Sequence, residues 1–333
     1  RQFNHRKYVV CAKADDAVQN LQNPDPLYSQ YNVCNVRDPK VVFMFPGQGS
    51  QYVNMGKNLY DHEPDFKNLV DMCCEIIAPD LGCDLRDYLF PEVGNEAVAE
   101  ESLKNTYYTQ PALFIIEYSL ANLLIKWGIT PYACIGHSIG EFVGACLAGI
   151  FSLEDALKLV ATRGRLISGM PSGTMLSVRM SATETLELLP DTISLAASNS
   201  PNLCVVSGPE DAIMGLETIL DDKEIPCKQL HTSHAFHSEM MEPVVGDFTE
   251  IVRSIHLNEP SLPIMSTATG TWLKNQEAVE PQYWGFHLRN AVRFSEGVCN
   301  LLEDKDLVML EVGPRATLAT LTRQHFSMTG RVP

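Results

Sequence analysis

The sequence predicts an α/β protein with a mostly parallel sheet and a small inserted α+β subdomain, and three observations carry that prediction. Residues 41–45, 131–135 and 307–312 are short apolar runs, as strands buried on both faces must be. Segments of helical periodicity lie between them. Over 174–233 the grain changes to strand, helix, strand, strand, helix, strand, an order that suits a ferredoxin-like subdomain.

Taken in order, 8–10 reads as a strand and 14–21 as a helix. The polar, proline-containing stretch 22–40 after them has the composition of the end of a linker. The strand 41–45 runs into the turn Pro46-Gly47-Gln48-Gly49-Ser50-Gln51. Helical periodicity covers 66–77 and 112–127, the second stopping near Gly128. The strand 131–135 meets a helix over 141–147 through Gly136-His137-Ser138-Ile139-Gly140, and 153–167 is a further helix. In the insertion, strands at 175–179, 193–197, 203–207 and 227–230 accompany helices at 182–189 and 211–221. A helix then runs from Met240 to Val252, followed by a strand-like 262–266, one more helix and the strand 307–312. The large domain is thus expected over 41–173 and 238–333, and the subdomain over 174–237.

Among the 333 residues, 25 Lys+Arg stand against 41 Asp+Glu, a formal net charge of −16. So acidic a chain repels nucleic acid and anionic lipid, and neither is expected as a partner. An anionic substrate must then find concentrated local positive charge. Of the ten cysteines, Cys73 and Cys74 are adjacent and Cys134 and Cys146 sit in apolar runs; no CxxC or Cys/His metal spacing occurs. Reduced thiols, no metal and a cytoplasmic location are expected. No apolar stretch reaches the roughly 18 residues a membrane span needs. A chain opening on Arg1 without Met reads as a piece of a longer polypeptide.

GxSxG between a strand and a helix is a nucleophile elbow, in which glycines permit a cramped turn that lifts the serine hydroxyl clear of the sheet. Ser138 is the expected nucleophile. A base must come from the histidines, of which His137, His231, His234 and His237 are candidates. His137 adjoins the serine on a tight turn and should point elsewhere. The segment 231–238 lies where the insertion rejoins the large domain, a natural cleft edge. An oxyanion needs two convergent N–H donors. Ile139, after the nucleophile, supplies one, and the glycine turn after strand 41–45 suits the other, with Gln48 as donor. That turn also reads as a flexible loop or a phosphate cradle, but no Gly-Lys-Ser/Thr follows, so it is not a P-loop.

Phe45-Pro-Gly-Gln-Gly-Ser-Gln51, Thr109-Gln110-Pro-Ala-Leu113, Gly136-His-Ser-Ile-Gly-Glu141, Arg163-Gly164, Asn199-Ser-Pro201, His234-Ala-Phe-His-Ser238 and Glu311-Val-Gly-Pro314 occur here in one order. That order resembles the malonyl-CoA:acyl-carrier-protein transacylases. The likeness runs from about Val41 to Phe326. More narrowly the chain resembles the acyltransferase domain of a modular type I polyketide synthase, because Phe3-Asn-His-Arg6, with the strand and helix after it, is similar to the end of a ketosynthase-to-acyltransferase linker. The resemblance implies an α/β-hydrolase-like large domain, Ser138 as acylated nucleophile and His237 as its base. It implies an oxyanion hole from the Gln48 and Ile139 N–H groups, and Arg163 gripping the malonyl carboxylate. Gln110 and Asn199 would line the pocket or order its hydrogen bonds, His234 and Phe236 would contact substrate, and the backbone carbonyl of His287 would orient the base. It implies no bound cofactor, with malonyl-CoA as substrate and the phosphopantetheine thiol of an acyl carrier protein as acceptor. A ketosynthase and its linker would flank the domain. Ile139 and His234-Ala-Phe-His237 match malonyl-selecting versions; methylmalonyl-selecting relatives have Gln and Tyr-Ala-Ser-His there. The chain departs from many relatives at Ser266-Thr-Ala-Thr-Gly270, where they carry Ser-Asn-Val-Thr-Gly.

Charge arithmetic agrees with the resemblance. A malonyl carboxylate bound by a chain of net charge −16 needs a buried point contact, and arginine offers a planar bidentate fork. Gly164 beside Arg163 allows close approach of another segment, whereas Arg165 should face elsewhere. The alternatives are a serine thioesterase or hydrolase, the same transferase acting on a substituted malonyl unit, and a non-catalytic docking module. Hydrolases of this kind place an acid between Ser and His and put the His in the last loop; here about 96 residues follow His237. A docking module predicts damage to nucleophile, base or arginine, and all three are intact.

Overall fold

The computed structural model describes residues 3–26, 28–33, 39–230 and 232–329. The chain divides into two compact units, 1–40 and 41–333. In the first, β1 (His5–Val9) pairs antiparallel with β2 (Ser29–Val33), and the helix Ala14–Gln22 lies between them in sequence. β2 falls in the stretch expected to be linker; with four of its five residues exposed, it has no apolar alternation by which to be recognised.

The larger unit carries β3 (Lys40–Phe45), β4 (Pro131–Gly136), β5 (Thr174–Val178), β6 (Ser194–Ser200), β7 (Leu203–Gly208), β8 (Cys227–Gln229), β9 (Ile264–Met265), β10 (Val292–Arg293) and β11 (Leu307–Glu311). The main sheet has the order β11-β3-β4-β9, with β3 parallel to β4 and β4 parallel to β9. Val42, Phe43, Met44 and Phe45 are fully buried, as a run without alternation requires. Each such side chain contributes about 1.5–3 kcal/mol on leaving water. The helices Pro64–Leu81, Thr106–Lys126, Gly140–Leu147 and Leu153–Ser168 pack with this sheet. The second of them starts six residues before its apolar run, at Thr106, and is capped by Asn105, whose side chain accepts the Tyr107 N–H.

The second sheet has the order β10-β6-β7-β5-β8. Numbering its four consecutive strands β5 to β8 as one to four gives 2-3-1-4 with helices Ala182–Leu186 and Glu210–Asp222 as crossovers, the ferredoxin-like arrangement. The α/β fold with its inserted α+β portion is therefore the one expected, and we propose 174–237 as the subdomain's bounds. The fifth strand, β10, was not foreseen: it comes from the large part and runs parallel to β6, stitching the two sheets' surroundings together. Period-2 alternation gives the inserted sheet two faces. Leu176, Val178, Cys204 and Val206 pack on its own helices. Met175, Ala197 and Val205 face the other way, into the main core and the cavity described below.

Candidate active site

β4 ends at Gly136, and the chain must turn within three residues to start the helix at Gly140. A Cβ on Gly136 would lie 2.1 Å from the Glu141 nitrogen, and one on Gly140 would lie 2.2 Å from the Phe45 carbonyl oxygen, so only glycine fits at either. Between them Ser138 is forced to φ +53°, a left-handed conformation that costs a side-chain-bearing residue about 1–3 kcal/mol. The His137 N–H donates to Phe45 O at 2.8 Å, tying the elbow to the end of β3. The base is held in the same unusual conformation, with φ +56° at His237.

The two meet. Ser138 Oγ lies 2.7 Å from His237 Nε2, and His237 Nδ1 lies 2.8 Å from the Asn290 carbonyl oxygen. A carbonyl can only accept, so Nδ1 carries the proton and Nε2 is left bare to take one from serine. The expectation that His287 supplies this carbonyl is corrected. His287 belongs to the last turn of helix Pro281–Arg289, whereas Asn290 leaves that helix with ψ 156° and turns its carbonyl out toward the histidine. The His287 ring instead sits with Nε2 3.5 Å from Glu141.

Arg163 completes the centre. It is 2% exposed, donates from Nη1 to Gln110 Oε1 at 2.6 Å, and brings Nη2 to 3.3 Å from Ser138 Oγ. Its guanidinium lies over the Phe142 ring. Burial lowers its pKa to about 10, which still leaves it charged at neutral pH. The close approach expected of Gly164 is present: a Cβ there would meet the Thr106 carbonyl at 2.9 Å. Burial first, and then the charges of Arg163, His287 and His137, hold the His237 pKa well below the ordinary histidine value against the opposing Asn290 bond.

Ser138, Ile139, Arg163, Phe236, His237, Asn199 and the Gln48 turn line one cavity of about 1010 Å³, closed on the far side by the inserted sheet. Among the described residues no carbonyl takes the backbone N–H of Gln48 or of Ile139. Asn199 holds His137 Nε2 at 2.8 Å, and Gln110 sits behind the wall ordering Arg163. His234 is not in the cavity wall, contrary to expectation. Its ring nitrogens face Ser233 Oγ and the Met170 carbonyl, and the ring tilts against Phe236 from behind. His231 lies outside the described residues.

Sequence reasoning gave no role to Glu141, the sole charge in the apolar helix Gly140–Leu147. It is fully buried and accepts from the Thr267 N–H at 2.8 Å and from the Tyr283 hydroxyl. Burial pushes this carboxyl up, but His287, Tyr283 and Thr267 together leave it below its usual value. It ties the helix after the nucleophile to the helix that ends at Asn290. The Thr267 hydroxyl reaches both Glu141 and the Gly136 carbonyl. No group of His, Cys, Asp or Glu among the described residues could hold a metal, and no described helix is long and apolar enough to cross a membrane.

A sequence model of the acyl transferase domain family matches residues 42–331. The chain is 36% identical over 286 residues to a subunit of the phenolphthiocerol/phthiocerol polyketide synthase of Mycobacterium tuberculosis, covering 86% of this chain but 19% of that protein. Among solved structures, the acyl transferase domain of ZmaA superposes with a TM-score of 0.90 at 39% identity, over 97% of this chain and 75% of that one. The malonyl CoA-acyl carrier protein transacylase of Burkholderia pseudomallei gives 0.77 at 28% identity, over 89% and 100%.

Proposed function

Because the chain belongs to the acyl transferase domain family, in the form built into polyketide synthases, we propose that it moves a malonyl extender unit from CoA, through an ester on Ser138, to the phosphopantetheine thiol of an acyl carrier protein. One observation carries the reading: Ser138 Oγ is shared between a bare histidine nitrogen and a buried arginine fork. The histidine suits nucleophilic attack on a thioester. The arginine suits an acyl group that brings a negative charge of its own. Ser138 attacks the thioester carbonyl, His237 takes its proton and passes it to the departing CoA thiolate, and the Gln48 and Ile139 N–H groups receive the oxyanion. The carrier thiol then repeats the sequence in reverse. The name of the Burkholderia neighbour supports malonyl and a carrier acceptor. Residues 1–40, a compact unit of their own, we read as the end of a linker from a ketosynthase, and the cytoplasm as the location. The test is malonyl-CoA with and without a carrier bearing its phosphopantetheine arm. Malonyl should pass to the carrier thiol faster than it is released as malonate, and release at the same rate with or without the carrier would mark a hydrolase.

A depressed His237 pKa has a signed consequence. The neutral, basic form persists as pH falls past 6.5, so the acid limb of kcat/KM for acylation should lie below that value. A bound carboxylate offsets the Arg163 charge that helps to depress the histidine, so the acid limb of kcat should lie higher than that of kcat/KM. Stopped-flow acylation against pH measures both, and a kcat/KM limb at or above 6.5 contradicts the burial argument.

Phe236 lines the cavity immediately before the base, and its carbonyl is pinned by the Ser207 hydroxyl at 2.8 Å. Its ring occupies space that an α-methyl branch would need, and overpacking of that kind costs about 1–3 kcal/mol. Phe236→Ser should raise the methylmalonyl to malonyl adduct ratio in direct competition, by no more than the 10–200-fold that one methyl commands. An unchanged ratio in folded protein would place selectivity elsewhere.

A further inference from the structure

The polar chain that ends at Ser138 begins in the Gln48 turn, and its direction is fixed by chemistry. Arginine has donors only, so Gln110 Oε1, 2.6 Å from Arg163 Nη1, accepts. The amide's other end must then donate, and Nε2 does so to Thr106 Oγ1 at 2.7 Å. With a lone pair taken there, Thr106 directs its single proton to Gln48 Oε1 at 3.0 Å. Thr106 is 0% exposed and Gln110 1%, so neither can exchange a partner for water. The backbone of Thr106 is engaged as well, since it opens the helix capped by Asn105 and its carbonyl abuts Gly164, next to Arg163.

On the functional reading above, one end of this chain grips the substrate carboxylate and the other carries an oxyanion donor. We propose that Thr106 is a positioning residue that couples the Arg163 clamp to the Gln48 turn, so that the two hold their catalytic geometry together. Thr106 does not line the cavity and acts only through its neighbours. Without its hydroxyl, Gln110 Nε2 loses its acceptor and Gln48 Oε1 its donor, and the Gln110 amide is free to rotate and turn a donor toward Arg163.

The test compares Thr106→Val, which keeps the branched shape, with Thr106→Ser, which keeps the hydroxyl. Acylation by malonyl-CoA should fall by about 10- to 100-fold in kcat for the valine variant, short of the 10²–10³ lost when an oxyanion donor is removed outright. Serine should restore it to within about threefold. In a Gln110→Ala background, where the relay is already cut, Thr106→Val should add little, as coupled residues do. Amide exchange over 47–51 reads the coupling without turnover and from the opposite end: Arg163→Ala should speed it, as Thr106→Val does, while Thr106→Ser leaves it unchanged. The coupling is refuted by wild-type kcat in Thr106→Val, by equal losses for valine and serine, by full additivity with Gln110→Ala, or by unchanged exchange in Arg163→Ala. The exchange arm decides even where the valine variant does not fold. Wild-type protein that takes no acyl group would sink the functional reading instead, with the exchange result still standing on the coupling.

Discussion

Ser138→Ala should carry no acyl group after exposure to malonyl-CoA, with turnover reduced on the order of 10⁶-fold, the size of loss known when a serine nucleophile is deleted. The fold should be unharmed. The substitution removes one hydroxyl from a turn whose shape is set by Gly136 and Gly140, and alanine meets the same φ of +53° as the serine does. His237→Ala should slow acylation by about 10²–10⁴, the range of general acid–base catalysis, because the serine keeps its place but loses the acceptor 2.7 Å away. His234→Ala should be milder, since that ring contacts Phe236 from outside the cavity. Intact-mass measurement on folded variants checks the order, and a greater loss for His234→Ala than for His237→Ala would reverse the assignment of the base.

Arg163→Ala should separate charged from neutral acyl groups. Removing the guanidinium leaves a substrate carboxylate unpaired in a desolvated pocket, at a cost of about 2–5 kcal/mol. That converts to a roughly 30- to 5,000-fold loss in kcat/KM for malonyl-CoA. Acetyl-CoA brings no carboxylate, so it should lose only the share that loosening the Gln48 turn costs both substrates, and the ratio of malonyl to acetyl transfer should fall. The comparison is internal, because any general damage from orphaning Gln110 Oε1 acts on both substrates. Equal losses for the two would mean that Arg163 serves the protein and not the substrate's charge.

How much was legible in the sequence depends on which interactions leave a mark on residue type. Strands β3 and β4 were legible because burial on both faces forces an unbroken apolar run. The elbow was legible because steric crowding admits only glycine at 136 and 140. Arg163 was legible through the resemblance carried by the ordered motifs, with which the charge arithmetic and the neighbouring Gly164 agree. Asn290 was not, since it acts through a carbonyl that every residue possesses, and only the point where helix Pro281–Arg289 stops decides which one reaches His237. β10 escaped for a similar reason: two residues pairing with β6 are a tertiary event without a periodicity. Thr106 and Glu141 carried faint marks, an Asn-Thr helix start and a lone charge on an apolar helix. Their partners, Gln48 and Gln110 in one case and Thr267 and Tyr283 in the other, become visible only in three dimensions.

The central claim is that the Ser138 hydroxyl, placed between His237 and Arg163, takes an acyl group whose free carboxylate rests on that arginine. Peptide mapping of the wild-type protein after brief exposure to an equal mixture of malonyl-CoA and acetyl-CoA tests it most directly. The account predicts one modified residue, Ser138, carrying malonyl in large excess over acetyl, with the excess gone in Arg163→Ala. Modification at another residue, or acetyl equal to malonyl on Ser138 of the wild-type protein, would contradict it.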